Sequence, residues 1–163
     1  MLQKGCHRNG ERLQGFCRTR EVRTRRDAPL AWAETHDSLG AIYARLVVGD
    51  KSANVEQAFT YYRLSLEVWT RTAAPLDWAR SQYALSGVYV KRVVGDRADN
   101  IECALACCRR ALEVRTHSTA PLEWAQGQQL LRVMYAERVV GDTSSNVEEA
   151  LACFHSALEV WTP

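Results

Sequence analysis

The sequence predicts an all-α protein, an α-solenoid of antiparallel helix pairs with three full repeats and an N-terminal half repeat. Three observations carry that prediction. The tetrapeptide Val-Val-Gly-Asp occurs at Val47 to Asp50, Val93 to Asp96 and Val139 to Asp142, a constant step (93 − 47 = 139 − 93 = 46). Pro29, Pro75 and Pro121, Trp32, Trp78 and Trp124, and the Glu-Val-x-Thr endings at Glu67, Glu113 and Glu159 keep the same step. Between these markers apolar residues recur every three and four positions, the helical period. One such unit cannot bury its apolar side alone, so a fixed period of this length implies stacked units.

The units run over residues 27–72, 73–118 and 119–163, behind a basic leader over residues 1–26. In the second unit, residues 75–92 carry Leu76, Trp78, Ala79, Tyr83, Leu85, Val88 and Tyr89 at amphipathic helical spacing. Proline suits a first helical position because its missing N–H would have no partner there. Pro29, Pro75 and Pro121 therefore predict three helix starts. Gly49, Gly95 and Gly141 are expected to end these helices in the left-handed conformation, with the preceding valine pair packed back on the last turn. Asn54, Asn100 and Asn146, each followed by an apolar residue and Glu, are expected to cap the second helices.

Those second helices should run to about Val68, Val114 and Val160. In the third, Val147, Ala150, Leu151, Phe154, Ala157, Leu158 and Trp161 form one stripe. Each unit thus holds two helices of about 16 residues, roughly 24 Å long, and the short turn between them, about eight residues, makes them antiparallel. Glu21-Val22-Arg23-Thr24 repeats the unit ending at the same offset, so residues 9–23, with Leu13, Phe16 and Val22, read as a degenerate second helix that caps the stack.

At 163 residues, 47% apolar and 25% charged, the chain has ordinary globular usage and can bury a sizeable core. The net charge of +2 conceals an asymmetry, because residues 1–26 hold eight Lys and Arg against two Glu. No stretch approaches the roughly 18 apolar residues of a membrane span, and residues 1–10 lack the apolar core of a secretory signal. Six cysteines without an export signal are expected to be thiols in a reducing compartment, which places the protein in the cytoplasm.

The second helices resemble those of tetratricopeptide repeats, in which a small residue is followed four later by an aromatic and three beyond by another small residue. Here these are Ala58, Tyr62 and Ser65, then Ala104, Cys108 and Ala111, then Ala150, Phe154 and Ala157. Leu39-Gly40 with Tyr43 matches the first-helix pattern of that family, and Leu85, Tyr89, Leu131 and Tyr135 keep it, while Ser86 and Arg132 replace the glycine. The resemblance covers residues 27–162 and implies a right-handed superhelix. The period departs from the family's usual 34 residues, with the extra length in the turns. This long form, with its Trp-Ala and Gly-Asp markers, resembles arrays in large bacterial proteins that also carry CHAT-type peptidase or signalling modules.

Several residues invite a chemical reading. Cys103, Cys107 and Cys108 with His117 or His155 could be set against zinc, but Cys107 aligns with Tyr61 and Cys153, and Cys108 with Tyr62 and Phe154, which are packing positions. Buried thiols are expected, with no metal and no cofactor. Cys153 and His155 are two apart on a helix and point to different faces, and no Ser/His/Asp set, phosphate loop or paired-carboxylate motif is visible. The chain is expected not to be an enzyme. Trp32, Trp78 and Trp124 read as inter-repeat core, and Trp69 and Trp161, which align with Arg115, as partly exposed cover. The leader, with Arg18, Arg20, Arg23, Arg25 and Arg26, reads as a solvated terminal helix, and RNA binding remains only a lesser alternative.

The resemblance further implies that the first helices line a concave surface where a partner binds. Register from Leu39, Leu85 and Leu131 places there Glu34, Asp37 and Arg45, then Arg80, Tyr83 and Lys91, then Gln126, Gln129 and Glu137. A non-catalytic scaffold that binds a peptide or helix of a protein partner is therefore expected. A second expectation concerns the third unit, where Cys153, Val160 and Trp161 should be left bare and support a homodimer. The alternatives are a self-associating structural element or a fragment of a larger bacterial signalling or peptidase protein. No membrane partner is expected.

Overall fold

The computed structural model describes residues 24–161, so the expected capping helix over residues 9–23 lies outside the described residues. Among the described residues there are six α-helices and no strand: α1 (Pro29–Arg45), α2 (Lys51–Leu66), α3 (Pro75–Lys91), α4 (Arg97–Leu112), α5 (Pro121–Glu137) and α6 (Thr143–Trp161). They form the three expected pairs, α1 with α2, α3 with α4 and α5 with α6. The chain divides between Ala74 and Pro75 into two compact units, the first holding α1 and α2 and the second α3 to α6. No helix among the described residues is long and apolar enough to cross a membrane.

Proline opens each first helix as expected, but the preceding turn is built by a residue that served only as a marker in the sequence. Thr24, Thr70 and Thr116 accept at their carbonyls from the amides of Ala28, Ala74 and Ala120, at 3.1, 3.0 and 2.9 Å. Their hydroxyls accept from the amides of Asp27, Ala73 and Thr119, at 3.2, 3.1 and 3.3 Å. Each threonine thereby makes a one-turn lead-in that satisfies the two amides just before the proline.

Two expectations about the turn inside each pair are corrected. The second helices start three residues before Asn54, Asn100 and Asn146, and the caps are the aspartates one residue earlier still. Asp50 accepts from Ser52 N at 2.8 Å, Asp96 from Asp99 N at 3.0 Å and Asp142 from Ser145 N at 2.8 Å. The buried asparagines instead donate back across the turn, Asn54 Nδ2 to Val48 O, Asn100 Nδ2 to Val94 O and Asn146 Nδ2 to Val140 O, at 2.9, 3.0 and 3.0 Å. A carboxamide carries donors, which a carboxylate lacks, so only Asn can staple a carbonyl in this way.

The second correction concerns what ends the first helix. Gly49, Gly95 and Gly141 do have positive φ (82°, 85° and 86°), but each stands just before the Asp cap and reverses the chain into the next helix. The first helices have already stopped in extended backbone at Leu46 (ψ 123°) and Arg138 (ψ 123°). The valines do not pack back on the helix. Val47, Val93 and Val139 are 72 to 90% exposed, because the extended segment carries them past the last turn.

In the first unit, Ala33, Leu39, Val55, Ala58 and Tyr62 are buried. Gly40 lets α1 approach α2 closely, since a Cβ there would meet the Tyr62 ring at 3.0 Å. The buried His36 donates from Nδ1 to Trp32 O (2.8 Å), and its ring lies 5.8 Å from that of Tyr61, which stacks on Tyr43. Trp69, expected to be partly exposed, is buried. Its amide still bonds to Ser65 O at 2.9 Å, which extends the helical path and holds Trp69 seven residues beyond Tyr62 and fourteen beyond Val55, on the same buried line.

In the second unit, the core joins Ile101, Leu105 and Cys108 of α4 to Leu131, Met134 and Tyr135 of α5 and Cys153 of α6. Here α5 lies on α4 and also touches α3. Gly127 permits the approach, because a Cβ there would stand 2.5 Å from Leu112 Cδ2, and its carbonyl accepts from Cys108 Sγ at 3.5 Å. The loss of the first-helix glycine in later pairs has a steric account. Gly40 faces Tyr62, Ser86 bonds to the smaller Cys108, and Arg132 lies 5.8 Å over the Phe154 ring. With Arg132 occupying the space, Phe154 cannot fold inward as Tyr62 does, and it stays 38% exposed.

Candidate functional site

The residues expected to meet a partner are distributed over α1, α3 and α5. On α1, Glu34 and Arg45 are exposed, but Asp37 is buried at 8% and does not stand on an accessible surface. On α3, Arg80 and Lys91 are exposed, and Arg80 pairs with Asp77 at 2.9 Å one turn earlier. Tyr83 is half-buried and packs on the core cluster; burial raises its phenol pKa, with Cys108 adding to the shift. On α5, Gln126 is exposed and Gln129 half-buried, while Glu137 is ion-paired with Arg97 of α4. Because α3 touches α5, Arg80, Lys91 and Gln126 belong to one packed layer of the second unit.

The tryptophans at the helix starts are half-buried. Trp32 lies 3.9 Å from the His36 ring and under the Arg25 guanidinium, and Trp124 meets His117 edge-on at 5.0 Å. Arg25 of the leader also pairs with Glu67 at 2.6 Å. Arg26 is exposed, whereas Arg18, Arg20 and Arg23 lie outside the described residues.

Cys107 and Cys108 are buried and Cys103 is exposed. Burial pushes the Cys107 thiol up to about 11 and the Cys108 thiol up to about 12, from an ordinary 9.0, and it raises Cys153 as well. A thiol held neutral in this way is a poor nucleophile. Among the described residues no three His, Cys, Asp or Glu side chains stand together as metal ligands. Cys103 is accordingly expected to react with a disulfide reagent at pH 8 at least tenfold faster than Cys107 or Cys108, read by mass spectrometry of the labelled peptides. The raised values also set a pH dependence. Their contribution to stability is complete below pH 9 and is lost as pH climbs through about 11 to 12, because the unfolded chain releases these protons first. A midpoint in urea that stays constant between pH 8 and pH 11 would contradict it.

Of the three residues expected to be bare on α6, only Trp161 is exposed. Cys153 is buried in the core cluster at 7% and Val160 is half-buried, while Trp161 is 42% exposed. The exposed apolar residues are Val147, Leu151 and Phe154, at 50, 52 and 38%, and with the half-buried Leu158 and Trp161 they make a row at steps of four, three, four and three. The sequence showed these residues inside one wide stripe. It did not show that Ala150, Cys153 and Ala157 on the adjoining side would take the core position.

The junction of α4 and α5 is tied by polar bonds at its edge. Glu102 of α4 accepts from both Nε (2.6 Å) and Nη2 (3.1 Å) of Arg138, just past the end of α5, and this pair raises the Arg138 pKa. Arg138 Nη1 also donates to Asn146 Oδ1 at 3.2 Å, and Arg109 donates to the Tyr135 hydroxyl. The Glu102–Arg138 pair joins the first half of α4 to the end of α5, and Gly127 in the first half of α5 meets Leu112 at the end of α4, so the two helices run antiparallel.

Comparison with family models, with curated proteins and with solved structures returns no match.

Proposed function

We propose that this chain is a non-catalytic protein-binding scaffold, a tetratricopeptide-like α-solenoid that holds a peptide or helix of a protein partner along its first helices. One observation carries the reading. Within the second unit the recurring residues Ala79 and Ala125, and Leu85 and Leu131, are withdrawn into the fold, whereas Arg80, Lys91 and Gln126 on the same two helices are exposed and differ from unit to unit. Side chains that packing does not constrain are available for recognition. The raised pKa values of Cys107, Cys108 and Cys153 fit a chain without an activated nucleophile.

Replacing Arg80 and Lys91 together by Glu is expected to weaken peptides selected on the wild-type chain by about tenfold. The melting temperature should hardly move, since the Arg80–Asp77 pair is exposed on both sides and such pairs contribute at most about 1 kcal/mol. Selected peptides that bind the double variant equally well would refute this surface as the site. A second reading, self-association as a structural element, has the exposed apolar row on α6 for it and the three Glu of the same segment against it. Light scattering tests it, and a monomer at high concentration counts against it.

A further inference from the structure

The exposed row on α6 has an internal template. Val147, Leu151, Phe154, Leu158 and Trp161 lie 46 residues after Ile101, Leu105, Cys108 and Leu112 of α4 and Arg115 just past its end. On α4 the first three are 0 to 2% exposed, and α5 is the helix packed on this junction, with Gly127 opposite Leu112 and Cys108. The polar edge repeats too. Glu148 stands where Glu102 grips Arg138, and His155 stands where Arg109 meets the Tyr135 hydroxyl. Both Glu148 and His155 are exposed.

We infer that the outer face of α6 is a docking site for one amphipathic helix of a partner protein, laid antiparallel as α5 lies on α4, with a small residue in its first two turns and an Arg just past its C-terminal end. The chemistry follows from what α4 demands of α5: a small residue where Leu158 rises, as Gly127 takes Leu112, apolar side chains along the row, and a guanidinium for Glu148. Charge argues against a second α6 as occupant. The segment 143–161 holds Glu148, Glu149 and Glu159 and no Lys or Arg, so two copies face to face would bring six carboxylates together with no Lys or Arg from either helix to pair with them. A helix ending in Arg complements that edge. This inference concerns a different surface from the layer of α3 and α5, and either can fail without the other.

The test uses a fluorescein-labelled peptide spanning residues 119–142, which carries the α5 pattern and its Arg138, titrated with the full chain and read by fluorescence anisotropy. Saturable binding is expected. Leu151→Glu in the chain should weaken it by at least tenfold, and Val147→Lys should act in the same direction, so that a folding defect in one variant does not decide the outcome. Glu148→Arg should weaken the wild-type peptide about fivefold or more, and a peptide with Arg138→Glu should recover on the Glu148→Arg chain. A peptide that instead displaced the chain's own α5 would ignore Glu148, and that result overturns the proposal. Absence of binding to the wild-type chain overturns it as well. So does a dimer in sedimentation velocity that Leu151→Glu dissolves, since a second copy would then be the occupant.

Discussion

Leu39→Ala is expected to cost the first unit about 2–5 kcal/mol, while Leu30→Ala in the same helix should cost less than about 0.5 kcal/mol. Both residues are leucines of α1, nine positions apart. Leu39 is 0% exposed and Leu30 is 59% exposed. Removing Leu39 loses the transfer free energy of three buried carbons and leaves a void that the surrounding helix pair closes only in part. At about 2–4 °C per kcal/mol for a chain of this size, the melting temperature should fall by roughly 5 °C or more. Calorimetry of the two variants side by side decides the matter, and equal effects would mean that the α1 register is wrong.

The second large effect separates two glycines of neighbouring first helices. Gly127→Val is expected to destabilise the second unit by about 1–3 kcal/mol. A Cβ at Gly127 already meets Leu112 Cδ2 at 2.5 Å and Cγ at 3.2 Å, and the branched side chain cannot be accommodated unless α5 lifts from α4. Such a shift also strains the Glu102–Arg138 pair at the far end of the same junction. Gly87 of α3 has nothing within 4 Å of its Cβ direction, so Gly87→Ala should stabilise by about 0.5–1 kcal/mol through helix propensity alone. Opposite signs are expected from urea titrations. A loss of stability for Gly87→Ala would show that α3 is approached more closely than the structure has it.

The helices, their pairing and their order were legible in the sequence, and particular residues show why. Pro29, Pro75 and Pro121 begin helices for a reason local to proline, and Gly49, Gly95 and Gly141 take positive φ for a reason local to glycine. The assignment of Asn54, Asn100 and Asn146 as caps failed because Asp and Asn are both competent caps at short range. Which one serves depends on where the preceding carbonyl arrives, and the carbonyls of Val48, Val94 and Val140 arrive at the asparagines. The candidate surface was legible less well. Arg80, Lys91 and Gln126 are exposed as the register implies, but Asp37 is buried, and the bare residues of α6 are Val147, Leu151 and Phe154 in place of Cys153. Trp69 and Trp161 share one register position, yet one is buried and the other is 42% exposed.

By itself the sequence determined the repeat length, the helical period, the start of each first helix and the position of each reversal, all set by side-chain and backbone preferences that act within a few residues. Tertiary structure alone decided which part of a wide apolar stripe becomes core. On α6 the apolar residues spread over enough of the circumference to offer two adjoining faces, and the neighbouring helix selects between them by burying Cys153 and Ala157 and half-burying Ala150. On α4 the face in the register of the exposed α6 row is covered by α5. The same pattern thus yields a buried junction in one place and an exposed row in another, because burial is a property of the contact and only the propensity for it is written in the residue.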